Sequence, residues 1–128
     1  MKENEITVVM VEPGERPRVI TLKNDLDALQ KAVSIGADYQ GLIELIGLDD
    51  GVDLLCNEEG KFIGLEWNRS IGHDVIAGVF YVVGADSNGN LTSLSEAQQK
   101  KYIEMFWEPE YFDKDDDIFE CLLRLFGI

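Results

Sequence analysis

The chain has 128 residues, 45% hydrophobic and 28% charged, with 11 Lys+Arg against 25 Asp+Glu for a formal net charge of −14. That length suits one globular domain with no room for a second, and folding would bury about two-thirds of the surface, a core that needs neither disulfides nor a structural metal. The acidic balance opposes direct binding to nucleic acid or to anionic lipid, and no apolar run approaches the ~18 residues of a membrane span.

In chain order, Ile6 to Val11 is β-rich and closes at Glu12-Pro13-Gly14, and Arg18 to Leu22 is a second β-rich run. Two prolines and a glycine between them predict an antiparallel hairpin. The period then changes. Asn24 is the expected N-cap, with Asp25 and Asp27 in the first turn, and Leu26, Leu29, Ala32 and Val33 mark one helical face ending near Gly36. Leu42 to Ile46 and Val52 to Cys56, joined through Asp49-Asp50-Gly51, predict a second hairpin. Asn57-Glu58-Glu59-Gly60 turns the chain into a short strand, Lys61-Phe62-Ile63, and Glu66 to Ser70 reads as an ordered loop.

Val75 to Val83 is nearly continuous in apolar residues and is the expected central strand. After a turn at Asp86 to Asn90, Ser93-Leu94-Ser95-Glu96 matches a capping box, with Ser93 as N-cap of a helix reaching about Phe106 and barred by Pro109. Asp113 to Asp117 resembles another acidic helix start, and Ile118, Phe119, Leu122 and Phe126 would form its apolar stripe. Such a helix would pack on its own sheet or join a second copy as a homodimer. The expected architecture is α+β: a mostly antiparallel sheet of about five or six strands carrying two or three helices. Residues 1–109 would form the domain and 110–128 an acidic helical tail.

The residues that usually carry chemistry are sparse. His73 is the only histidine, and no G-x-S-x-G elbow is present. One His with two distant Cys supplies no standard tetrahedral zinc set, so no metal and no cofactor is expected. Gly72, Gly78 and Gly84 match no phosphate-binding loop and fit strand ends and a bulge. Asp86-x-Asn88-x-Asn90 begins like a calcium loop, but the glycine comes at the fourth position and Ala97 stands at the twelfth. Cys56 and Cys121 form no C-x-x-C motif, and Met1 to Glu5 is too acidic for a signal peptide, so the expected setting is a reducing cytoplasm.

One constellation stands out. Asn57, Glu58, Asn68 and Arg69, with Glu59, Lys61 and Glu66, lie on two turns that would meet at one sheet end. Amide, carboxylate and guanidinium together can orient a polar ligand or a peptide backbone. The competing account is structural: the asparagines satisfy turn backbone, and Arg69 pairs with a carboxylate. A second feature is charge. From Glu104 to Glu120 there are eight acids and one base, and Asp113, Asp115, Asp116 and Asp117 form the densest patch.

Val11-Glu12-Pro13-Gly14, Cys56-Asn57-Glu58-Glu59-Gly60-Lys61, Asn68-Arg69, Ile76-Ala77-Gly78 and Leu94-Ser95-Glu96, in that order, resemble a family of short bacterial and phage proteins that carry a domain of unknown function. The resemblance runs from about residue 6 to 109. It implies a cytoplasmic protein of a phage, prophage or conjugative element, of the kind common in gut Firmicutes, and supplies no catalytic residue.

The leading expectation is therefore a non-enzymatic accessory or protein-interaction module, with Trp67, Trp107, Tyr111 and Phe112 as candidate anchors for a protein partner. One alternative is a DNA mimic that inhibits a DNA-binding enzyme, of the anti-restriction type. A third is a small polar-ligand or nucleotide-processing enzyme using Glu58, Asn68 and Arg69.

Overall fold

The computed structural model describes residues 4–112. Its centre is a six-stranded antiparallel sheet of β1 (Glu5–Val11), β2 (Arg18–Lys23), β3 (Ile43–Asp49), β4 (Val52–Asn57), β7 (Phe80–Ala85) and β8 (Leu91–Thr92), ordered β2-β1-β7-β4-β3, with β8 also paired to β7. A separate antiparallel ribbon joins β5 (Trp67–Ile71) to β6 (Asp74–Ala77). Two helices complete the described part, α1 (Leu26–Ala32) and α2 (Glu96–Met105). The expected tail helix, the patch Asp113, Asp115, Asp116 and Asp117, and the dimer contact assigned to that helix lie outside the described residues.

Both expected hairpins form, β1 with β2 and β3 with β4, and Gly51 takes the positive φ (73°) that the tight turn demands. Strand alternation sends side chains to two faces. Ile6, Val8, Met10, Leu55, Tyr81 and Val83 pack with Leu29 and Val33 from α1 and its C-terminal turn. Val9, Val11, Leu54, Cys56, Phe80 and Val82 pack on the other face with Ile76 of the ribbon and Tyr102 and Phe106 of α2. The sheet is thus the middle layer, with α1 on one side and α2 plus the ribbon on the other. At the outer edges, β2 carries Arg18 and Lys23, while β3 carries Glu44 and Asp49 and shifts register between Gly47 and Asp49. Charges and irregularities at an edge discourage further strand addition.

Four expectations need correction. The run Val75–Val83 is two strands, because Gly78 (φ 84°) turns the chain from the ribbon into the main sheet. Its second half, β7, does hold the central place. Lys61-Phe62-Ile63 is part of a turn, whereas Glu66 to Ser70, read as a loop, contains most of β5. The helix N-caps move by one and two residues. Asp25, rather than Asn24, accepts from the Ala28 N–H (2.8 Å). Ser95, rather than Ser93, forms the capping box, with Gln98 and not Glu96 as its partner. The displaced candidates are used elsewhere: Asn24 donates to the Leu91 carbonyl, and the Ser93 hydroxyl accepts from the Thr7 N–H.

Candidate functional site

One end of the sheet gathers the polar residues singled out in the sequence. The ends of β1 and β4 and the start of β7 meet there, as the pairings Val11–Phe80 and Leu55–Tyr81 require. Asn57 closes β4 on the α1 face. Its Nδ2 donates to the Val33 carbonyl (3.3 Å), and its Oδ1 accepts from the Glu59 N–H (2.9 Å). Glu58 is exposed, tied to the fold by its own N–H donating to the Leu42 carbonyl.

Asn68 and Arg69 lie on the opposite face, and both are buried, at 0% and 1% exposure. Consecutive strand residues normally point to opposite sides, so bringing these two side chains into contact calls for an interruption. The register supplies it: Trp67 pairs with Ala77 and Arg69 with Ile76, which leaves Asn68 as the extra residue of a β-bulge. Asn68 Nδ2 donates to the carbonyls of Val11 and Gly78, both at 2.9 Å. Arg69 donates through Nε and Nη2 to the Phe106 carbonyl, through Nη1 to Asn68 Oδ1 (2.8 Å), and through Nη2 to the Glu15 carbonyl.

The Phe106 contact has a clear electrostatic logic. Phe106 is the C-cap of α2, whose last turn carries no base. Arg69 brings a cation from another element to the negative end of that helix dipole. Burial lowers its pKa, while Glu110 opposes the shift; a guanidinium remains protonated there. Glu110 itself accepts from the Ser70 N–H (2.7 Å) and hydroxyl (2.6 Å), clasping the segment after α2 to β5.

Above this network is a cleft of about 400 Å³ that motif reading did not find. Glu12, Pro13 and Glu15 from the β1–β2 turn, Ile35 and Gly36 after α1, Gly64, Leu65 and Glu66 before β5, and Gly78 and Val79 before β7 line it. Asn68 and Arg69 hold the carbonyls of Val11, Glu15 and Gly78, so they position its walls. Arg18 pairs with Glu12 at the rim, and Lys61 of the adjoining turn pairs with Asp74 of β6. The structure thus brings Asn57, Glu58, Asn68 and Arg69 to one sheet end, but divides them between its two faces. Four loops far apart in sequence build the cleft, and of their residues only the Pro13-Gly14 turn and Glu66 stood out in the sequence.

Other reactive types stand apart. His73 is exposed in the β5–β6 turn. Asp86 accepts from the N–H groups of Asn88 and Asn90 (both 2.9 Å), as a turn-forming aspartate does. Cys56 is buried beside Glu44, and burial first, then that carboxylate, pushes its thiol up to about 12. A thiol so shifted holds almost no thiolate near neutral pH. In a Cys121→Ser background, Cys56 should therefore resist iodoacetamide at pH 8 in the native protein and react readily in urea. Rapid native alkylation would contradict this environment. Among the expected anchors, Trp107 is 41% exposed with the Arg16 guanidinium 4.5 Å from its ring centroid, and Tyr111 is 83% exposed. Trp67 and Phe112 are half-buried. Phe62 was not among them, yet it is the most exposed large apolar residue described, at 92%.

These features define an α+β protein with a mainly antiparallel sheet, an α1 layer on one face, and α2 with a bulged ribbon on the other. A family described as a domain of unknown function (DUF3846) matches residues 6–107, and the chain belongs to that family. No curated protein and no solved structure matches it. No helix among the described residues is long and apolar enough to cross a membrane.

Proposed function

We infer that the chain is a non-enzymatic, protein-binding accessory module, acting in the cytoplasm for a phage or another mobile element. One observation carries the reading: the side chains best suited to chemistry are spent on the fold. The buried amides of Asn57 and Asn68 and the Arg69 guanidinium are bonded to backbone carbonyls or to one another. Exposed aromatic and aliphatic side chains remain outside, and these anchor protein partners. A nucleotide-processing site would need Asn68 and Arg69 to abandon those bonds. For DNA mimicry, duplex DNA sets a standard of one charge per ~1.7 Å of axis. Among the described residues, cations pair with Glu12, Asp25, Asp27, Asp49 and Asp74, interrupting any such track.

The test combines in-cell crosslinking in the host, read by mass spectrometry, with thermal-shift screening against nucleotides and polar metabolites. The expected result is a defined protein that forms a saturable complex when reconstituted from purified components. A metabolite or nucleotide that raises the melting temperature and is turned over would overturn the reading. So would a DNA-binding enzyme that the chain inhibits by occupying its DNA site, with chain and duplex DNA excluding each other there, since that is the behaviour of a mimic.

A further inference from the structure

The segment after α1 and the turn after β4 run against each other at the cleft end of the sheet. The Glu58 N–H donates to the Leu42 carbonyl (3.0 Å), and the Tyr39 hydroxyl donates to the Glu59 carboxylate (3.0 Å). Ile35 and Leu65 line the same cleft. These two segments present Ile35, Tyr39, Leu42 and Phe62, each more than half exposed. An isolated exposed apolar side chain is ordinary, but four large ones on adjoining segments beside a cleft are the composition of a binding surface.

The surrounding charge selects the occupant. Asp38, Glu58, Glu59 and Glu66 lie on the same stretches, and Glu15 stands across the cleft beside Glu12, which Arg18 engages. Lys61 is the sole cation of the two segments, and Asp74 engages it. A second copy would set one acidic rim against another, which like-charge repulsion disfavours. Resting on the interaction-module reading, we propose that this end of the sheet docks a basic protein segment, seating an apolar side chain against Phe62 and Tyr39 and directing Lys or Arg towards Glu58, Glu59 and Glu66. The apolar walls suit the methylene stem of such a side chain, and the carboxylates suit its charged head.

The probe is a display library of random dodecapeptides, selected on the full-length protein and remeasured by fluorescence polarisation across a salt series. Selected sequences should pair one or two large apolar residues with flanking Lys or Arg, and binding should weaken as salt rises. Phe62→Ser should cut affinity about tenfold or more, the scale of an anchor residue. The Glu58→Gln, Glu59→Gln, Glu66→Gln triple variant should flatten the salt dependence. All four positions are exposed, so these proteins should melt like the parent, which circular dichroism checks. Acidic or neutral selected sequences, or full affinity in Phe62→Ser, would overturn the docking site. The two readings fail separately: a reconstituted partner bound equally by Phe62→Ser removes this surface while the interaction module stands, and turnover of a small molecule removes the module.

Discussion

Replacing Arg69 with Met should cost about 3–5 kcal/mol of stability, because several acceptors lose their donor at once. Exchanging buried ions for apolar residues is often tolerated when every partner is exchanged together. Here that is not available, because the acceptors are mainly backbone. The Phe106 carbonyl and the Asn68 Oδ1 would remain buried without their donor, and the part-buried Glu15 carbonyl would lose its own. An orphaned buried acceptor costs about 1–3 kcal/mol, and the C-terminus of α2 would lose its cation as well. For a chain of this size the melting temperature should fall by roughly 10 °C or more. Arg69→Lys should lie between: it keeps the charge but cannot reproduce the planar fork that reaches several acceptors. Lys61→Met tests a partly exposed ion pair for comparison and should shift stability by no more than about 1 kcal/mol. Thermal and urea denaturation of the three variants measure this, and an Arg69→Met protein melting within about 2 °C of the parent would refute the network's role.

That network shows where sequence reading succeeds and where it stops. Pro13-Gly14 and Asp50-Gly51 act through their own backbone preferences, so both hairpins were legible locally. The helices were legible in period but not in their first residue. Asn24 and Asp25, like Ser93 and Ser95, are all competent caps, and tertiary contacts to Leu91 and Thr7 decided which one stayed free for the helix. Apolar content marked Val75 to Val83 as buried strand, but composition does not say when a strand changes sheets; the corner at Gly78 does. Asn68 and Arg69 were noticed as types, yet the bond between them depends on a bulge that has no residue signature. The cleft was the least legible feature, because its walls are contributed by segments spread from Glu12 to Val79.

The corner at Gly78 provides the second large effect. Gly78 has φ 84°, and a Cβ there would lie 2.7 Å from Leu65 Cδ1. Two separable penalties follow from Gly78→Ala. The left-handed backbone costs an L-residue roughly 1–2 kcal/mol, and crowding against Leu65 adds about 1–3 kcal/mol if the packed leucine cannot give way. Gly78→Val should be worse than Ala, since a β-branched side chain is the poorest fit to positive φ. Only the steric part depends on Leu65. In a double-mutant cycle, Leu65→Ala alone should destabilise through the cavity it leaves, and Gly78→Ala made in that background should cost less than in the parent. The residual cost in the double variant then isolates the backbone term. If the two substitutions add without coupling, the contact between Leu65 and Gly78 does not hold the corner, and the cleft wall they share is set by something else. If they couple as expected, the β6–β7 corner and the segment leading into β5 are fixed against each other, and the cleft between them is a preformed part of the fold.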